Sequence, residues 1–312
     1  MLKGVVLLLN SYVLLLLVAL IYAGNLLVGK AVTDTIPPIT LAFLRLSIAF
    51  LAILPFGWKE WKENITLWKN EWKAIFSLAF TGIAAFNALV YYSLHFTSPV
   101  NAGIVESATP IFSVIIGFIL LREKLAKLQL IGVLISTVGV LWVIAKGSIL
   151  VLVTLSFNFG DILMLIAVIC WVFYSFFVKK HSGKFPLYGG LLSILFTAII
   201  VMIPFTALEW NKIIEINWNI GAVFALLYLG IFPSVLALMW WNKAVEDIGP
   251  SQASVFLNLV PVFAALGSYV FLQEVITWHQ VVGGIIVLVG VILTTREKSS
   301  LPKQTTILTK EI

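Results

Sequence analysis

Glu106 lies in the run Gly103-Ile104-Val105-Glu106-Ser107-Ala108-Thr109-Pro110, inside an apolar stretch otherwise free of charge. A carboxylate at the centre of a membrane helix costs on the order of 3 kcal/mol on insertion scales, so something must offset it. Three readings stand side by side. Glu106 can bind a substrate amine or couple to protons, since a carboxyl group in apolar surroundings can trade its charge for a proton. It can instead neutralise Arg45, the other charge deep within an apolar run, or line a wet cavity wall. Arg45 has readings of its own: its long side chain can pair with Glu106, cap exposed carbonyls or snorkel, or it can attract an anionic solute.

Pro110 follows Glu106 by four residues and has no N–H, so it frees the Glu106 carbonyl from the helix ladder, as Pro261 frees that of Leu257. Freed carbonyls persist at membrane depth only where protein or a wet cavity satisfies them. Each proline is therefore expected to face the interior, as a packing kink or a gating hinge. Helical spacing gathers Ala102, Gly103, Glu106, Pro110, Ser113 and Gly117 on one face, and Ser254, Asn258, Pro261, Ala265 and Ser268 on another. It also gathers Tyr22, Asn25 and Gly29, with Trp171 and Tyr174 at matching places later in the chain. Aromatic faces can receive planar or cationic solutes, whereas Trp58, Trp61, Trp68, Trp72, Trp210 and Trp218 read as anchors at the lipid interface. Glu123 and Glu274 stand just ahead of apolar segments, where a carboxylate favours the positive end of the following helix; both are expected to be caps.

These residues need long apolar elements to hold them. Of 312 residues 61% are hydrophobic and 11% charged, against about 25% charged in an ordinary soluble domain. Windows without mid-segment charge give ten expected transmembrane helices, over 12–32, 39–57, 74–94, 99–121, 128–145, 161–178, 187–207, 218–242, 251–272 and 278–295. The linker from Ser148 to Phe159 is apolar enough to form a short external amphipathic segment. The single cysteine, Cys170, excludes an intrachain disulfide and reads as a small hydrophobe.

With an even helix count both tails share one side. Sixteen of the twenty basic residues then fall on that side, only Lys30, Lys146 and Lys212 fall opposite, and Arg45 lies within a helix. Cytoplasmic loops carry such an excess, so both termini are expected in the cytoplasm.

The chain also repeats itself. Thr109-Pro110-Ile111-Phe112 returns as Val260-Pro261-Val262-Phe263, Glu123 as Glu274, Gly132 as Gly283 and Gly139 as Gly290, each 151 residues on; Tyr22 returns as Trp171 and Pro55 as Pro204, each 149 on. Five crossings per copy is odd, so the second copy enters the membrane the other way round. The expected fold is an all-α integral membrane protein of ten transmembrane helices in two inverted five-helix repeats. The first repeat covers 12–146, an external linker 147–160, the second repeat 161–295 and a cytoplasmic tail 296–312.

Four places give the chain a resemblance to the ten-helix EamA-type branch of the drug/metabolite transporter superfamily. They are Tyr22-Ala23-Gly24-Asn25 with Lys30, Phe43-Leu44-Arg45, Gly160-Asp161-Ile162-Leu163 leading to Cys170-Trp171, and the twin patterns Thr/Val-Pro-x-Phe, Leu-x-Glu and Gly-x6-Gly. The likeness spans roughly Val13 to Thr295. It implies a carrier of metabolites with a central cavity lined by the first, third, fourth, sixth, eighth and ninth helices, and cargoes from amino acids to nucleosides, polyamines and drugs. Tyr22-Ala23 stands where the family more usually has Trp-Gly, and Gln273 stands where it has Gly.

No phosphate loop, nucleophile elbow or metal-ligand spacing is found, and His95, His181 and His279 lack partners at metal-ligand spacing. No cofactor is expected, and the basic residues form no stripe that would track nucleic acid. The expected partners are a small-molecule solute, membrane lipid and, for coupling, a proton or other ion gradient; the sequence sets no oligomeric state. The reading is a secondary transporter of an amino-acid-like, amine or drug-like metabolite working by alternating access. Against it stand a membrane enzyme acting on lipid-linked substrates, which would need polar catalytic groups clustered near one interface, and a non-transporting scaffold or channel.

Overall fold

A computed structural model describes residues 10–296 except 34, 94, 95, 98, 124, 155–157, 217 and 274. Among the described residues ten helical spans are long and apolar enough to cross a membrane, and no strand occurs. They are α1 (Ser11–Thr33), α2 (Pro38–Glu63), α3 (Trp72–Ser93), α4 (Pro99–Glu106 resuming as Thr109–Leu121), α5 (Lys127–Ile144), α6 (Phe159–Lys180), α7 (Leu187–Ala207), α8 (Ile220–Ile248), α9 (Pro250–Ser254, Val255–Leu259 and Val260–Leu272) and α10 (Trp278–Thr295).

α2 and α8 each run six residues past their expected ends. Windows that stop at the first charge cut off the amphipathic last turns, Trp58-Lys59-Glu60-Trp61-Lys62-Glu63 in α2 and Lys243 to Ile248 in α8, which stay helical. A short helix, Ile149–Val153, occupies the expected external linker, with Ile149, Leu150 and Val153 largely exposed.

The helix contacts obey the repeat. α5 packs along α10 and α2 along α7, pairing equivalent helices; α1 meets α8 and α9 as α6 meets α3 and α4. An ideal Cβ on Gly132 would stand 2.6 Å from the Gly290 carbonyl oxygen, and one on Gly290 2.6 Å from that of Gly132. The backbones of α5 and α10 thus approach as closely as only glycine permits. The π-helical turns of α3 (Ala79–Ala85) and α8 (Phe232–Ala237) fall at related places. Pro233 withholds an N–H from the second, and Gly82, its counterpart, lies so close to the Tyr174 ring that any Cβ there would clash.

A reciprocal brace joins α2 and α7. The Glu209 carboxylate accepts from the Thr40 N–H and hydroxyl, both at 2.8 Å, at the start of α2. The Glu60 carboxylate, 149 residues earlier, accepts from the N–H groups of Tyr188 at 3.0 Å and Gly189 at 2.9 Å at the start of α7. Each acid therefore sits on the positive end of the partner repeat's helix. At the start of α5 the cap is the Gln129 side chain, accepting from the Ala126 N–H at 2.9 Å. Glu123, expected as a cap, is 2% exposed and accepts from the Ser251 hydroxyl at 2.5 Å, tying the end of α4 to the start of α9 across the repeats. Glu274 lies outside the described residues.

Candidate functional site

Arg45 is 6% exposed, two turns into α2. Its Nε donates to the Ser234 hydroxyl at 3.0 Å, in the π-turn of α8; its Nη1 donates to the Asn25 Oδ1 of α1 at 3.2 Å and to the Tyr91 hydroxyl of α3 at 2.8 Å. Ser234 passes its own proton to the Leu229 carbonyl at 2.8 Å. Three helices of the first repeat and one of the second thus meet on one guanidinium. All its acceptors are neutral: among the described residues no ion pair joins Arg45 to Glu106 or to any other carboxylate. A buried cation held by dipoles alone retains its attraction for an anion.

The second repeat answers with a different pairing. Asn25 and Tyr91 correspond to Tyr174 and Asn242, and the Tyr174 hydroxyl donates directly to the Asn242 Oδ1 at 2.7 Å. Ile194 stands where the first repeat has Arg45, so no cation intervenes.

Between the two networks lies an aromatic cluster built by α1, α3, α6 and α8. The Trp171 ring centre stands 6.3 Å from Tyr22, 4.8 Å from Phe86, 5.3 Å from Tyr174 and 5.4 Å from Trp241. Trp241 donates to the Ser175 hydroxyl at 3.3 Å. Trp171 does not: its Nε1–H is buried and has no acceptor among the described residues. Trp142 and Trp240 likewise bury an Nε1–H without an acceptor among the described residues, and of the three only Trp171 stands in this cluster.

Glu106 ends the first segment of α4, immediately before a break over Ser107 and Ala108. The Thr109 hydroxyl donates to its main-chain carbonyl at 2.5 Å, so the group that Pro110 leaves free of the ladder is satisfied locally. Its carboxylate has no hydrogen-bond or ion-pair partner among the described residues. The neighbouring Ala102 and Val105 pack with Met164 and Ala167 of α6. In α9 the same place in the repeat carries a tightened turn, Val255–Leu259, and Pro261 begins the next segment. Asn258, 3% exposed, donates to the Ser136 hydroxyl of α5 at 2.9 Å.

The expected site residues therefore fall into groups. Arg45 and Asn25 share one network; Tyr22, Trp171 and Tyr174 share the aromatic cluster, and the Tyr174 hydroxyl carries that cluster to Asn242. Pro110 and Pro261 stand at breaks of α4 and α9. Asn258 joins α9 to α5. Sequence reading missed Tyr91, Ser234 and Asn242; the repeat offset could have marked Tyr91 and Asn242, since each stands opposite an unlike polar residue.

The EamA-like transporter family matches residues 9–145 and again 158–296, once in each half. The chain is 32% identical to the uncharacterized transporter YyaM of Bacillus subtilis (strain 168), covering 96% of this chain and 97% of that protein. It is 30% identical to an uncharacterized transporter of Archaeoglobus fulgidus, over 93% of this chain and 98% of the relative. A crystal structure of 16% sequence identity shares the fold with a TM-score of 0.75, over 91% of this chain and 96% of that one. With its ten spans and two copies of the family's repeat, this chain belongs to the EamA-like transporter family.

Proposed function

We propose that the protein is a secondary transporter that carries a small organic solute across the cytoplasmic membrane by alternating access, with both termini in the cytoplasm. The observation that carries this reading is the unequal pair of networks at equivalent places in the two halves. An inverted repeat exchanges inward- and outward-facing states when its halves exchange conformations. Here one half holds helices α1 and α3 through Arg45, and the other holds α6 and α8 through the bond between Tyr174 and Asn242.

The solute is amino-acid-like, an amine or drug-like. Trp171, Tyr22 and Tyr174 give it aromatic faces; the open Trp171 N–H and Arg45 offer donors, and Glu106 offers an acceptor for a cationic group or a proton. Asn258 completes the polar wall on α9, and the breaks at Pro110 and Pro261 let α4 and α9 bend as access changes. No nucleotide-binding loop is present in the sequence, and in this reading an ion gradient drives the cycle, with Glu106 as the proton-coupling carboxylate.

The test is flux of a metabolite panel in proteoliposomes, with and without an imposed pH gradient. Saturable movement of one compound class, lost on Arg45→Met, supports the reading; no saturable movement of any compound overturns it.

A further inference from the structure

A second recognition surface lies away from the core, where α2 ends and α3 begins. A groove of about 240 Å³ is lined by Trp61, Trp68, Trp72, Phe76 and, on α7, Phe196 and Thr197. Its polar atoms are largely occupied: Trp68 Nε1 donates to the Trp61 carbonyl at 2.7 Å and the Thr197 hydroxyl to the Ser193 carbonyl at 2.8 Å. The groove therefore asks for an apolar occupant.

Its rim is basic. Lys73 Nζ stands 5.8 Å from the ring centre of Trp72, a wall of the groove, and Lys62 Nζ 5.0 Å from that of Trp58. Lys69 lies on the short helix Ile65–Asn70 beside Trp68. Two of the three acids of this connection are firmly engaged, and the third stands in an exposed pair. Glu60 caps α7, Glu71 pairs with Lys184 at 2.6 Å, and Glu63 approaches Lys59 at 3.9 Å. Lys62, Lys69 and Lys73 are exposed and enter no ion pair among the described residues.

The repeat supplies an internal control. The equivalent connection between α7 and α8 keeps a tryptophan, Trp210 opposite Trp61, but carries Lys212 alone. The aromatic anchor is common to both connections, and the free lysines belong to one.

We propose that this groove binds one anionic phospholipid, an acyl chain lying against Trp61, Trp68, Trp72 and Phe196 and the phosphate headgroup among Lys62, Lys69 and Lys73. A membrane lipid supplies both chemistries at the depth where tryptophan belts form, and a cluster of free lysines there selects an anionic headgroup over a zwitterionic one. The site is independent of which solute the core carries.

Native mass spectrometry of the detergent-purified full chain tests it, with phosphatidylglycerol and phosphatidylcholine of matched chains as probes. The wild type should retain one phosphatidylglycerol at least tenfold more tightly than phosphatidylcholine, a free-energy difference of about 1.4 kcal/mol or more. Lys69→Gln with Lys73→Gln, both exposed and harmless to packing, should remove most of that preference. Thr197→Trp should fill the groove and weaken both lipids, and excess chainless glycerophosphoglycerol should displace nothing. Equal retention of the two lipids by the wild type, retention unchanged in the lysine variant, or displacement by the chainless headgroup overturns the proposal.

Discussion

Tyr174 donates to Asn242 at 2.7 Å, and the two stand in the second repeat where Asn25 and Tyr91 stand in the first, with the residue types exchanged. Helices α1 and α3 are bridged through a guanidinium, whereas α6 and α8 are latched directly. Tyr174→Phe removes only that latch. It should shift the balance between the two access states by about fivefold, the worth of one hydrogen bond near 1 kcal/mol. Labelling rates of single cysteines placed at Thr35 and Ser182 should change in opposite directions; rates unchanged at both would show that the bond does not distinguish the states.

Arg45→Lys should lower the unfolding midpoint and, per amount of folded protein, lower flux at least tenfold. A lysine keeps the charge but cannot present the planar fork that reaches Ser234, Asn25 and Tyr91 together, and one lost charged hydrogen bond is worth about 1.5–3 kcal/mol. Thermal unfolding and normalised flux check the two halves of this expectation. Full activity in the lysine variant would leave Arg45 as a mere filler of charge.

Much of this architecture was legible in the sequence. Charge-free windows marked ten spans, and the fixed offset from Gly132 to Gly283 and Gly139 to Gly290 exposed the duplication that now appears as the glycine contact of α5 and α10. The partners of Arg45 were not legible, because they come from 20, 46 and 189 residues away and their meeting depends on how four helices pack. Glu60 and Glu209 escaped for another reason. Acids at helix ends look like ordinary interface residues until the other repeat's helix start is placed against them.

Those two acids should be structural. Glu60→Ala or Glu209→Ala should each destabilise the protein by about 1–2 kcal/mol, as for loss of a helix cap, without changing which solute is carried. Unfolding midpoints and competition profiles measure the two effects separately. A changed solute profile with unchanged stability would contradict the brace.

The topology prediction places Ala31 to Pro37 and Lys146 to Gly160 outside and both tails inside. In a Cys170→Ser background, Thr35→Cys and Ser148→Cys should react with an impermeant maleimide added to intact cells, and Lys184→Cys only after permeabilisation. The reverse pattern would invert the protein.

Glu106 is where proton coupling is tested most directly, because its carboxylate has no partner among the described residues and stands at the break of α4 next to Pro110. Since Arg45 is satisfied without it, Glu106→Gln should fold with wild-type yield, whereas loss of one member of a buried ion pair would cost about 3–5 kcal/mol. The direct measurement is gradient-driven accumulation of the transported compound in proteoliposomes reconstituted with equal amounts of folded wild type and Glu106→Gln. Saturable, pH-gradient-dependent accumulation is expected of the wild type and none of Glu106→Gln, with solute exchange at equilibrium retained. Equal accumulation by both proteins would contradict that coupling.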